Sequence, residues 1–203
     1  MKINFKDYYL GTIIGFLVGW LILLPAFNIG FKITPFLVLV SVASFSFLIP
    51  FLLTILNFLS RLFEEIAYLA YFSKFVVVGI LNTFLDLSIL NFFIYLTGIA
   101  VGFYFSFFKL FSFLIANINS YFWNKFWIFK DKKPVTIKEY SRFLFFTFVG
   151  ILINVGVASL IVNFIRPPIG LELKFWANIG AIIAVFVAMI WDFLSYKKIF
   201  LKT

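Results

Sequence analysis

The chain alternates long apolar runs with short polar breaks. Six runs are about 20 residues or longer: 8–29, 35–59, 75–98, 103–128, 143–165 and 176–197. A helix crossing about 30 Å of hydrocarbon at ~1.5 Å per residue needs about 20 mostly apolar residues. The runs show no alternation of polarity, as lipid-facing β-strands would. They predict an all-α polytopic membrane protein with six transmembrane helices. The first run is too long for a signal-peptide core and lacks a small-residue cleavage pattern, so a retained anchor is expected.

Smaller patterns refine this layout. In "RLFEEIAYLAYFSK" (61–74), Arg61, Glu64, Glu65 and Tyr68 recur at helical spacing among apolar residues. This predicts an amphipathic helix at the membrane interface, or an extension of a neighbouring helix. Gly11, Gly15 and Gly19 form one face of the first segment and invite close backbone approach. Their partner is another helix of the chain or, in a homo-oligomer, a second copy. Ala177, Ala181, Ala184 and Ala188 form a similar seam in the sixth segment, read as packing.

The third and fourth segments resemble the fifth and sixth at one constant offset. "FVVVGIL" (75–81) lies over "FTFVGIL" (146–152), and "FWNKFWIF" (122–129) over "FLSYKKIF" (193–200). The expected organisation is an N-terminal two-helix extension (1–60), a linker (61–74) and a four-helix core (75–202). Within the core, parallel repeats cover 75–129 and 146–200. A site is expected where such repeats meet.

Composition fixes the class further. The 203 residues are 64% apolar and only 12% charged, with 33 Phe, no His and no Cys. That inventory excludes a Ser–His–Asp triad, a His-ligated metal site, disulfides and thiolate chemistry. No catalytic residues, metal ligands or cofactor are expected, and the protein is read as a non-enzyme.

The net charge of +9 first suggests nucleic acid. Placement argues against it. Lys2, Lys6, Arg61, Lys74, Lys125, Lys130, Lys132, Lys133, Lys138, Arg142, Lys197, Lys198 and Lys202 fall on one side of the predicted layout, thirteen of the seventeen basic residues. Lys32, Lys109, Arg166 and Lys174 fall on the other. This bias puts both termini in the cytoplasm and the protein in the cytoplasmic (plasma) membrane. It also attracts anionic lipid headgroups. Lys109 is expected to snorkel to the outer face.

Polar residues inside the apolar runs are the candidate site. Asp86 lies eleven residues into its helix, about 16 Å deep. A charge there costs at least ~2.5–3.5 kcal/mol, so it should face protein or be protonated. Asn82 lies one turn away, and Asn117, Ser120, Tyr121 and Asn124 share a stripe on the next segment. The expected arrangement is an Asn82–Asp86 edge facing Asn117, with Asn124 and Lys125 nearer the cytoplasm. Asn154 and Asp192 join from the last two segments, Asp192 beside Lys125 or Lys197. Lys125, Lys130, Lys197 and Lys198 are candidates for a lipid phosphate, which Lys serves as a point charge. The alternative use of each asparagine is interhelical packing.

"KFVVVGILNTFLDLSILN" (74–91) followed by "IANINSYFWNKFWIF" (115–129) resembles the GtrA-like family of small membrane proteins. The matching positions are Phe75, Val78, Gly79, Asn82, Thr83 and Asp86, then Asn117, Phe122, Asn124, Lys125, Trp127 and Phe129. The second half resembles the family's weaker repeat, departing at Asp192, Ser195 and Lys197–Lys198. The first two segments stand outside the family pattern. The resemblance implies work on polyprenyl-phosphate-linked monosaccharides for surface polysaccharides, by translocation across the membrane or as a scaffold for a polyprenyl-phosphate glycosyltransferase. The translocase reading expects Asp86→Ala and Asn117→Ala to stay folded but lose transfer. A proton-coupled solute carrier is a third reading, weakened by the lack of an evident basic partner for Asp86.

Overall fold

A computed structural model of the chain describes residues 3–62, 69–130, 134 and 136–200. The described residues contain helices and no strand. The helices are α1 (Phe5–Leu21), α2 (Leu23–Asn28), α3 (Pro35–Leu62), α4 (Leu69–Thr97), α5 (Gly102–Trp123), α6 (Ile137–Phe164) and α7 (Leu173–Phe200). A π-helical turn, Asn124–Ile128, extends α5 and is tied by the Phe129 N–H donating to the Asn124 carbonyl at 2.9 Å.

Helix ends follow local chemistry. At α1, Asn4 Oδ1 accepts the Asp7 N–H (3.2 Å) while the Asp7 carboxylate accepts the Asn4 N–H (3.0 Å), a reciprocal capping box. At α3 the Thr34 hydroxyl accepts the Leu37 N–H at 3.1 Å, and Pro35 takes the first helical position, where its missing N–H costs nothing. α4 stops at Gly98, whose φ of +72° lets its N–H reach back to the Ile94 carbonyl.

Among the described residues, five helical stretches are long and apolar enough to cross a membrane: Phe5–Asn28, Pro35–Leu59, Tyr71–Thr97, Ser141–Phe164 and Leu173–Asp192. The predicted segment 103–128 forms α5 and the π turn but falls short of that measure. Lys109, Asn117, Asn119, Asn124 and Lys125 dilute its apolar character. The expected amphipathic helix 61–74 lies partly outside the described residues. Its described parts are the last turn of α3 and the start of α4.

α1 runs against α3, and the glycine face is filled from within the chain. A Cβ on Gly15 would sit 2.1 Å from the Phe45 carbonyl oxygen, and one on Gly19 would sit 2.5 Å from Val42 Cα. Only glycine permits that approach. This N-terminal hairpin packs on α4. α4 pairs with α5 and α6 with α7, each joined by a short connection, and the two hairpins meet through α5 against α6 and α7 against α4.

Two apolar clusters fill the interior. One joins Ile14 and Val18 of α1, Ile49 and Leu53 of α3, and Val77, Val78 and Leu81 of α4. The other, in the opposite half, joins Leu87, Leu90 and Ile94 to Phe105, Ala158, Ala177, Ala181 and Ala184. The predicted alanine seam is therefore buried, and a Cβ on Gly180 beside it would meet Val162 Cγ2 at 2.5 Å. Large apolar side chains such as Phe36, Phe47, Phe103, Phe164 and Phe186 cover the outside. That surface suits lipid, where packing and hydrogen bonds hold helices together.

Candidate functional site

The polar centre begins with Asp86 on α4. Its carboxylate pairs with the ammonium of Lys109 from α5 and accepts the Ser112 hydroxyl at 2.5 Å. One turn away, Asn82 Oδ1 accepts the Asn119 amide at 2.7 Å. The antiparallel hairpin sets this register: 82 meets 119, and 86 meets 109 and 112. Lys109 is 0% exposed. It does not snorkel to an outer face as expected, because a buried carboxylate about three turns from the end of the neighbouring helix offers its charge a better partner than the interface. Asp86 therefore has the basic partner that no sequence pattern pointed to.

Beside this pair lies a cavity of about 50 Å³ between the two hairpins. Asn82, Asp86, Asn117, Asn154 and Asp192 all line it, so the structure brings these five predicted site residues together. Their partners differ from those expected. Asn117 Oδ1 accepts the Thr147 hydroxyl of α6 at 2.9 Å and so links the hairpins. Asp192 turns toward Gly150, 3.5 Å from where a Cβ would stand, and makes no ion pair among the described residues. Asn154 Oδ1 is buried without a hydrogen-bond partner among the described residues. Such an acceptor is costly in hydrocarbon and marks where a donor would be welcome.

The other predicted residues sit nearer the end that carries the N-terminus. Tyr121 packs on Phe143 with ring centroids 4.5 Å apart. Asn124 is buried and donates to the Ser120 carbonyl at 2.7 Å. Lys125 is 1% exposed, so it is an interior residue rather than the expected rim contact for phosphate. It lies in the π turn, while Lys130, at φ +51°, is exposed. Lys197 and Lys198 lie on α7, and their side chains are outside the described ones.

A second buried charge pair lies at this basic end. Lys74 Nζ is 2.5 Å from Asp7 Oδ1, which also accepts the Trp127 indole N–H at 2.9 Å. The ammonium stands 5.3 Å from the Trp127 ring centre, within cation–π range. Lys74 is thus an interior residue and not merely a topology signal. The legible hint was Asp7, the only acid before Glu64, following Asn4 at capping-box spacing. At the opposite end Asn28 donates to Asn91, and Asn91 and Asn178 exchange amide hydrogen bonds at 2.7 and 3.1 Å. These amides tie α2, α4 and α7 together.

The polar residues at the hairpin interface sit in a stretch with a known relative. Residues 74–201 match the family described as GtrA/DPMS, transmembrane domain. The chain belongs to this family. The matched stretch holds both hairpins and leaves α1–α3 outside, as the N-terminal extension. The membrane-spanning helices and the family together make the chain an integral membrane protein. Comparison with curated proteins and with solved structures finds no match. Within the GtrA/DPMS stretch, Asn82, Asp86 and Asn117 of the motif line the cavity, and Asn124, Lys125 and Trp127 build the π turn. The two hairpins are not equivalent in charge. The residues 71 positions after Asp86 and Lys109 are Val157 and Gly180, so the second hairpin has no such ion pair there.

Proposed function

We propose that the protein carries polyprenyl-phosphate-linked monosaccharides across the cytoplasmic membrane for glycosylation of cell-surface polysaccharide, without covalent chemistry. In this reading α5 also crosses: its 22 residues match the bilayer's hydrocarbon thickness, and it lies between α4 and α6. Both termini are cytoplasmic, on the basic side. The two hairpins act as parallel repeats, which the α5–α6 and α7–α4 contacts support.

The observation that carries the proposal is the interhairpin cavity with its unpartnered Asn154 oxygen among Asn82, Asn117 and Asp192. Amides and carboxylates there can exchange hydrogen bonds with sugar hydroxyls while the prenyl chain stays in lipid. At about 50 Å³ the cavity holds water rather than a sugar, since ligand pockets run to about 300 Å³ or more. Passage therefore requires the hairpins to part along α5–α6 and α4–α7. The small volume is also what favours the second reading, a membrane scaffold that positions a polyprenyl-phosphate glycosyltransferase and uses its polar contacts only as glue.

Reconstitution separates them. Pure protein in liposomes, with polyprenyl-phosphate glucose in one leaflet, should deliver it to the other. A scaffold would leave the lipid where it was placed and would co-purify with the glycosyltransferase.

A further inference from the structure

A larger cavity lies away from the interhairpin seam, at the basic end. It measures about 580 Å³ and is walled on one side by Asn4, Lys6, Asp7 and Leu10 of the N-terminal segment, and on the other by the end of α5 and the π turn. We propose that this pocket is the docking site for the headgroup of an anionic amphiphile, a prenyl phosphate ester bearing a sugar. The inference rests on the lipid-linked-sugar reading above and assigns its entry site.

Charge supports the anion. Lys6 and Lys130 both line the pocket, both are exposed, and neither has an ion-pair partner among the described residues. The one acid, Asp7, is already matched by Lys74 and by the Trp127 and Asn4 N–H groups. Two free ammoniums thus remain for phosphate oxygens.

The walls support a sugar and a tail. Trp123, half-buried, meets the buried Trp127 edge-on at 5.6 Å and offers its indole to a sugar ring, with Asn4 lining the same pocket. Phe122 and Phe126 stack at 6.2 Å and are 52% and 56% exposed, continuing the pocket onto the lipid-facing side of α5. A prenyl chain can lie along that surface while its phosphate stays between the lysines. The π turn after Trp123 contributes Phe126 and Trp127 to the pocket wall, and such turns recur at functional sites. Four of the nine lining residues lie outside the family-matched stretch 74–201, so the extension has a job in this chain: it completes the headgroup site.

The test measures binding without transport. Full-length protein in phosphatidylcholine nanodiscs is titrated with farnesyl-phosphate glucose, read by tryptophan fluorescence and calorimetry. The Lys6→Gln/Lys130→Gln variant should bind at least about tenfold more weakly, since each ammonium near a surface phosphate is worth about a factor of five. Lys32→Gln, in the connection between α2 and α3, should bind as wild type. Equal circular dichroism checks that the exposed substitutions leave the fold intact. Glucose 1-phosphate and inorganic phosphate should bind far more weakly than the amphiphile. Wild-type affinity in the double variant, equal affinity for the soluble phosphates, or no saturable binding of the amphiphile would each overturn the assignment. The two claims also fail separately. Lysine-dependent binding without transport contradicts only the translocase reading, and normal transport with unchanged binding in the double variant contradicts only this pocket.

Discussion

Lys109 of α5 and Asp86 of α4 form an ion pair closed off from the surroundings, their side chains 0% and 3% exposed. Removing one partner of such a pair strands the other charge, at a cost of about 3–5 kcal/mol. Lys109→Met should therefore lower stability in detergent by about that amount. The Asp86→Leu/Lys109→Met double variant should recover most of it. A thermal or steric-trap unfolding measurement checks this, and equal losses in the single and double variants would contradict it. The pair also revises the simplest mutagenic test, because Asp86→Ala is expected to damage the fold as well as the cavity.

How much of this was legible in the sequence depended on periodicity. Apolar runs located every long helix, since spanning segments must be continuous, and the alanine seam of α7 read correctly as packing. Pairings across helices were not legible, because they depend on rotation and register. Asn117 was placed in the right cavity, but its bond to Thr147 was not foreseen. Lys109 and Lys74 were assigned to the membrane surface by a rule about loop charges, and that rule has no knowledge of a carboxylate on a neighbouring helix. Lys125 was assigned to the rim from its place beside the 130–133 basic cluster, and that spacing does not reveal that its side chain is buried.

Asp7 joins the extension to the family-matched core through Lys74 and Trp127. Asp7→Asn should destabilise the protein by about 3 kcal/mol or more, because Lys74 is left buried without a counter-charge. Trp127→Phe, which removes one hydrogen bond to a charged group, should cost about 1.5–3 kcal/mol. Melting temperatures of the two variants give the order, and a more stable Asp7→Asn protein would refute it.

Gly15 touches the Phe45 carbonyl with no room for a side chain. Gly15→Val should force α1 off α3 and cost at least about 1–3 kcal/mol, the usual range for overpacking. The particle mass by light scattering should not change, since the seam is filled within one chain. A shift in mass without a loss of stability would point to a seam between copies.

Asn154 should separate folding from function. Its side-chain oxygen has no partner to lose, so Asn154→Ala should alter stability by less than about 1 kcal/mol. Transport should nonetheless fall. Unfolding and flux measured on the same preparation check both halves, and a large stability loss with normal flux per folded molecule would reverse the argument.

Translocation by the pure protein is the most direct test of the account. Proteoliposomes carrying polyprenyl-phosphate glucose in the inner leaflet should show protein-dependent appearance of the lipid in the outer leaflet, slowed by Asn154→Ala. A rate equal to that of protein-free liposomes would contradict it.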